Sequence, residues 1–260
     1  MTVSELTVYW QPGCTSCLRL KEYLTGKGVS YRSVNVLADA QGMADLVRLG
    51  VRRVPILARG SEWCDGLVLS EINALAGIGK STELKLTPLT LSVKVRAILN
   101  VLSSYVRQIP EQRLAEMLPN RARSFGGLAC HVAEIVHYFL QVVEHDHVLV
   151  FEDYDHPLPH QYASPDSLVA FSESVATAFE RWASQDLPAM DMSQTVDLYY
   201  GAQSLHDFLE RTTWHAGQHL RQLELVLRMK IGVEPIPALD SRIFEGLPMP
   251  KAVWDDHLDF

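Results

Sequence analysis

Apolar positions in the first 80 residues come in short runs separated by amphipathic stretches: "ELTVYW", "CLRLKEYLTGKG", "SYRSVNV", "ADLVRLG", "VPILA" and "GLVLS". Strands interleaved with helices at this spacing predict a small α/β layer. From Thr82 onward the strand pattern fades. "TLSVKVRAILNVLSSYVRQI", "FGGLACHVAEIVHYFLQVVEH", "PDSLVAFSESVATAFERWASQ" and "LHDFLERTTWHAGQHLRQLELVLRMK" repeat apolar residues every three or four positions. Each is long enough for a core helix, and four such segments predict an antiparallel four-helix bundle. The polar stretch "GIGKSTELKLTP" between the halves marks a boundary. Gly232 is a helix stop, and Pro235, Pro237, Pro248 and Pro250 predict an extended tail that ends in a solvated acidic "DDHLDF". The expected organisation is 1–80, 81–234 and a tail over 235–260.

At 260 residues the chain has room for two modest cores. With 31 acidic and 23 basic residues the net charge is −8, which argues against nucleic acid as a partner. The most apolar stretch, "LACHVAEIVHYFLQVV", is interrupted by His131, Glu134 and His137, so no membrane span is expected. "MTVSELTVYW" lacks the basic and then apolar run of a secretory signal. A cytoplasmic setting follows as the expectation. Thiols stay reduced there, so the four cysteines are read first for chemistry.

"VYWQPGCTSCLRLKEYL" places Cys14 and Cys17 where a strand ends and a helix begins. The helix dipole and unpaired N–H groups favour thiolate there, so Cys14 is the expected nucleophile and Cys17 the resolving thiol. A zinc ribbon uses the same spacing but needs a second ligand pair, and Cys64 and Cys130 stand alone. Two buried structural cysteines are the remaining alternative.

With "CTSC" after the first strand, "RVPIL" and "WCDG", residues 4–79 resemble the glutaredoxin branch of the thioredoxin fold. The resemblance implies a cis peptide at Pro55 facing the active cysteine and glutathione paired with the backbone of Val54. It also implies that Cys64 and Asp65 hold the γ-glutamyl end. Arg53 stands where a threonine is usual, and "SEW" where a double glycine is usual.

His215 and His219 lie four apart in "TTWHAGQHLRQLELVLRM". His156 and His160 share that spacing, but the prolines of "DHPLPHQ" forbid the helix that would join them. For His215 and His219, Ser204 with Asp207 predicts a capping box and nothing breaks the helix before Gly232. The pair shares a face with Thr212, Gln222, Leu223 and Val226, a stripe expected to point inward, whereas His206 is expected in solvent. Two imidazoles buried in an apolar interior invite a third ligand, and His131 on the second bundle helix is the candidate. Histidines satisfied by ordinary hydrogen bonds are the alternative. Glu134, within a turn of His131, is either a general acid or base or a glutamate on an exposed helix face, and Arg121, Arg123 and Arg221 either hold a carboxylate of thiol or substrate or are solvated.

"RARSFGGLACHVAEI" and "TTWHAGQHLRQLELVLRMKIG" make residues 85–232 resemble the DinB-like (DinB/YfiT) four-helix bundles. The resemblance implies that His131, His215 and His219 bind a divalent metal, zinc or nickel, and that the bundle uses a low-molecular-weight thiol. DinB-like bundles often pair, which makes a homodimer an expectation. Together the two resemblances imply a metal-dependent thiol transferase or isomerase, with glutathione as the thiol and a small electrophile as substrate. The alternative is a glutathione-linked disulfide oxidoreductase whose bundle is a binding or dimerisation module with a structural metal.

Overall fold

The structure, a computed structural model, describes residues 5–79, 85–119 and 121–255. These residues form two compact units, one of 5–79 with 250–255 and the other of 85–249.

In the first unit the order is β1 (Leu6–Trp10), α1 (Thr15–Gly26), β2 (Arg32–Asn35), α2 (Ala40–Arg48), β3 (Ile56–Arg59), β4 (Glu62–Asp65) and α3 (Leu69–Ala76). The sheet runs β2-β1-β3-β4, with β1 parallel to β2 and antiparallel to β3, and β3 antiparallel to β4. All of β1 is buried because both sheet faces are covered. Leu6, Val8 and Trp10 pack with Cys17, Leu20, Leu24 and Ile72 from α1 and α3, while Tyr9 joins Val34, Leu46 and Val51 on the α2 side. The run "GLVLS" does not add a strand; it turns into α3, and β4 is built from "EWCD" instead. The reason is local: Gly66 N–H returns to Pro55 O at 3.0 Å, and a Cβ on Gly66 would meet Pro55 at 2.9 Å, so the chain folds tightly there.

The second unit is helical, with α4 (Pro88–Val106), α5 (Phe125–His145), α6 (Pro165–Gln185) and α7 (Leu205–Val226). Thr87, Ser124, Ser164 and Ser204 cap these four helices by accepting a backbone N–H three residues on. Pro88 and Pro165 occupy the first turn, where no N–H is missed. Each helix packs against at least two of the other three. Phe139, Phe179, Trp182 and Phe208, from α5, α6 and α7, meet in tilted and edge-on contacts with ring centroids 5.0–6.3 Å apart in the shared core. By length and composition α4 and α5 could each cross a membrane, and both bury half or more of their apolar windows in the structure.

One pair of strands interrupts the helical half, contrary to the expectation of helices alone: β5 (Thr195–Leu198) and β6 (Gly201–Ser204) form an antiparallel hairpin directly before α7. Gly201, at φ 109°, allows its tight reversal. Beyond α7 a π turn over Leu227–Ile231 closes on Gly232 at φ 79°. The following residues lie back on the helices rather than standing free. Tyr105 donates to Pro237 O at 3.1 Å, and Lys94 to Ile243 O at 2.9 Å. Phe244 lies where a Cβ on Gly217 would meet it at 3.1 Å, which accounts for a glycine in the middle of α7.

Candidate functional site

In the first unit Cys14 is the N-cap of α1 and Cys17 lies one turn in. They are joined as a disulfide, and Cys14 Sγ accepts from Cys17 N–H at 3.1 Å. Cys14 is half-buried and Cys17 almost fully buried, so an incoming thiol meets Cys14 first. Gly13 at φ 84° shapes the turn that presents them. The Val54–Pro55 peptide is cis. Val54 and Cys14 pack against the same cluster as Cys17 and Cys64, so the residues expected to act together lie around one core. Asp65 is buried, and Arg53 Nε donates to its Oδ2 at 2.9 Å. The arginine in the unusual position before Val-Pro therefore serves as an ion-pair partner for Asp65. Burial, with Glu71 and Asp65 nearby, pushes the Cys64 thiol up to about 12, which makes it a packing residue at neutral pH.

In the second unit α5 and α7 bring His131, His215 and His219 together, with one ligand nitrogen from each within 4.8 Å of the others. All three are buried, at 3%, 7% and 7% exposure. Burial, aided by the charges of Arg123 and Arg211, holds them below the ordinary imidazole range, so they are neutral at pH 7 and able to donate lone pairs. His219 Nδ1–H donates to Gln222 Oε1 at 2.7 Å, and its Nε2 faces His215 Nε2 at 3.1 Å. Among the described residues, Nδ1 of His131 and of His215 have no hydrogen-bond partner, nor do the Tyr154 hydroxyl and Thr212 Oγ1.

This donor set fits a divalent ion. Zinc–nitrogen bonds of 2.0–2.1 Å at a tetrahedral angle set ligand nitrogens about 3.3 Å apart, close to the separation of the His215–His219 pair. Closure on His131 needs a shift on the order of 1 Å from the widest separation, within reach of a side-chain rotation. A carboxamide behind one imidazole is the kind of outer partner that orients metal-ligating histidines.

Several neighbours differ from the sequence reading. Glu134 is buried, not exposed: it accepts from Cys130 Sγ at 3.2 Å and lies 3.4 Å from His156 Nε2 and 3.8 Å from His131 Nδ1. Burial raises its pKa above the usual carboxylate range. The same helical arithmetic that puts His131 inward puts Glu134, three residues on, beside it. His206 is half-buried, with Nε2 on Leu86 O at 2.9 Å. Arg123 is half-buried and donates to Tyr154 O at 2.8 Å, while Arg221 donates to Gln218 Oε1 at 2.7 Å. Arg211 was missed, although it precedes His215 by four and so shares its stripe. It is buried, donates to the Tyr199 hydroxyl at 3.2 Å and lies over the Tyr200 ring. Tyr154, edge-on to His131 and His215 at 5.5 and 6.1 Å, left no sequence signal because it lies in an aperiodic loop.

A mixed four-stranded sheet with α1 and α3 on one face, a Cys-x-x-Cys at the start of α1 and a cis-proline before β3 define a thioredoxin-like redox unit, here followed by a helical unit. Residues 6–62 match the family model of glutaredoxin, which suggests thiol–disulfide redox function. The match stops short of Cys64 and Asp65. Among curated proteins none matches the chain.

Proposed function

We propose that the chain is a metal-dependent thiol transferase or isomerase of DinB type, coupled to a glutaredoxin-like thiol–disulfide exchange unit. Glutathione is the thiol and a small electrophile the substrate. The observation that carries this reading is the convergence of three buried, neutral imidazoles, with Nδ1 of His131 and of His215 unpartnered among the described residues. A zinc or nickel ion held by His131, His215 and His219 would supply a Lewis acid that favours thiolate over thiol at neutral pH. The chain's own residues do the remaining work. Gln222 fixes the tautomer of His219. Glu134, hydrogen-bonded by Cys130, places a carboxylate next to His131.

In the redox unit Cys14 thiolate attacks a disulfide sulfur, forming one S–S bond as another breaks and a thiolate leaves. Cys17 then displaces the group bound to Cys14, and two electrons have passed from the pair to the substrate. Val54 and Pro55 hold the glutathione backbone, and Cys64 and Asp65 its γ-glutamyl end. The setting is cytoplasmic and the assembly a homodimer.

A second reading is favoured by the family match to the redox unit: a glutathione-linked disulfide oxidoreductase whose helical unit is a binding or dimerisation module with a structural metal. Elemental analysis of the full chain, followed by thiol-consumption assays on His215→Ala and Cys14→Ser, separates the two. Loss of conjugation or isomerisation in His215→Ala, with disulfide reduction intact, supports the transferase. A His215→Ala protein that loses its metal yet keeps every activity leaves the carrier.

A further inference from the structure

The first unit is completed by residues from the far end of the chain. Gly13 N–H, immediately before Cys14, donates to Asp255 Oδ2 at 2.8 Å. Glu22, two turns along α1, accepts the backbone N–H of both Lys251 and Ala252. The spans agree: eight residues of helix from Cys14 to Glu22 rise about 12 Å, and four residues of chain from Lys251 to Asp255 reach up to about 14 Å. Residues 250–255 therefore run back along α1 as a strap that is pinned at Glu22 and ends at the redox loop. Asp255 and Trp254 are buried at 6% and 8% exposure. Asp255 Oδ1 has no hydrogen-bond partner among the described residues, an unusual state for a buried carboxylate oxygen.

We propose that Asp255 tunes the Cys14–Cys17 couple: its carboxylate, delivered by the strap, opposes negative charge on Cys14 and so favours the disulfide over the dithiol. Two features give this direction. The first turn of α1 has no acidic side chain, so the helix alone favours thiolate at Cys14 and the strap adds the opposing charge. The hydrogen bond from Gly13 N–H, one residue before Cys14, also fixes the Asp255 carboxylate at the redox loop. Asp65, another carboxylate of this unit, is paired with Arg53. Asp255 exchanges no bond itself; it biases the equilibrium in which the protein disulfide and two glutathione thiols give the dithiol and glutathione disulfide.

The test is that equilibrium, measured at pH 7 in glutathione redox buffers on the full chain by trapping free thiols. Asp255→Ala moves it toward the dithiol by roughly tenfold, about 30 mV for a two-electron couple. Asp255→Asn, which keeps an acceptor for Gly13 N–H but no charge, moves it part of the way. Glu22→Ala loosens the other end of the strap and shifts it in the same direction, and its effect is largely lost in the Asp255→Ala background. Both Asp255 variants at the wild-type equilibrium, with only the melting temperature lowered, would reduce the strap to packing and overturn the proposal. So would a shift toward the disulfide, or full additivity with Glu22→Ala.

Discussion

His219 donates its Nδ1–H to Gln222 Oε1 across 2.7 Å, three residues along the same helix. A carboxamide oxygen only accepts, so the proton sits on Nδ1 and the Nε2 lone pair faces His215. Gln222 thus selects the tautomer in which His219 can act as a ligand.

Replacing Gln222 with leucine keeps the volume but removes the acceptor. Zinc affinity should fall by roughly 10- to 100-fold, the range for outer partners of ligating histidines. Competition against a chromogenic chelator measures it, and unchanged affinity would separate Gln222 from the site.

The three histidines also make a pH signature in metal-free protein. Burial, the largest cause for each, lowers their folded pKa below the ordinary imidazole value of 6.5, to about 3 for His219. Below 6.5 the unfolded chain therefore binds more protons than the folded one, and stability is lost as pH falls. Each ring contributes roughly 1 kcal/mol or slightly more per pH unit in that window. Chemical denaturation of chelator-treated protein at pH 7, 6 and 5 should show it, and His215→Ala should flatten the slope.

After reduction, iodoacetamide at pH 7.5 should label Cys14 rapidly and leave Cys64 and Cys130 unmodified. Cys14 is half-buried at a helix N-terminus, whereas burial pushes the Cys64 thiol up to about 12 and the Cys130 thiol higher still. Mass spectrometry of peptides reads the outcome; equal labelling of Cys64 would contradict its burial.

Ser204 begins the helix that carries two of the three histidines. Its hydroxyl accepts from Asp207 N–H at 3.1 Å, and Asp207 in turn pairs with Lys85. Ser204→Ala should destabilise the helical unit by about 0.5–2 kcal/mol and leave disulfide exchange at Cys14 unchanged. Denaturant titration beside a thiol-exchange assay distinguishes this loss from a redox effect.

Periodicity and punctuation account for most of what was legible. The α5 and α6 segments match the sequence reading to the residue, because Ser124 and Ser164 cap them, and the last segment starts where read, at the Ser204 cap, but its α-helix ends at Val226 and a π turn carries it on to Ile231 before Gly232. The inward stripe of α7 was likewise legible, with Thr212, Gln222, Leu223 and Val226 all buried. What failed depended on partners from elsewhere. His206 has a helix position that local pattern assigns to solvent, but Leu86, remote in sequence, meets it, and His156, equally remote, meets Glu134 beside His131. The β5–β6 hairpin escaped because "TVDL" and "GAQS" contain too few apolar residues to announce strands. Asp255 belongs to a stretch that reads as a solvated acidic tail, and only tertiary structure places it at Gly13. Residues 256–260 of that stretch lie outside the described residues.

The strap also sets an order on biosynthesis. Ribosomes extend chains from the N-terminus, so the sheet and α1 can assemble while the helical unit is still being translated. The carboxylate that meets Gly13 emerges only after residue 249 has cleared the exit tunnel. Until then the nascent redox loop lacks that carboxylate, and its cysteines pass their first moments in an electrostatic environment different from that of the finished protein.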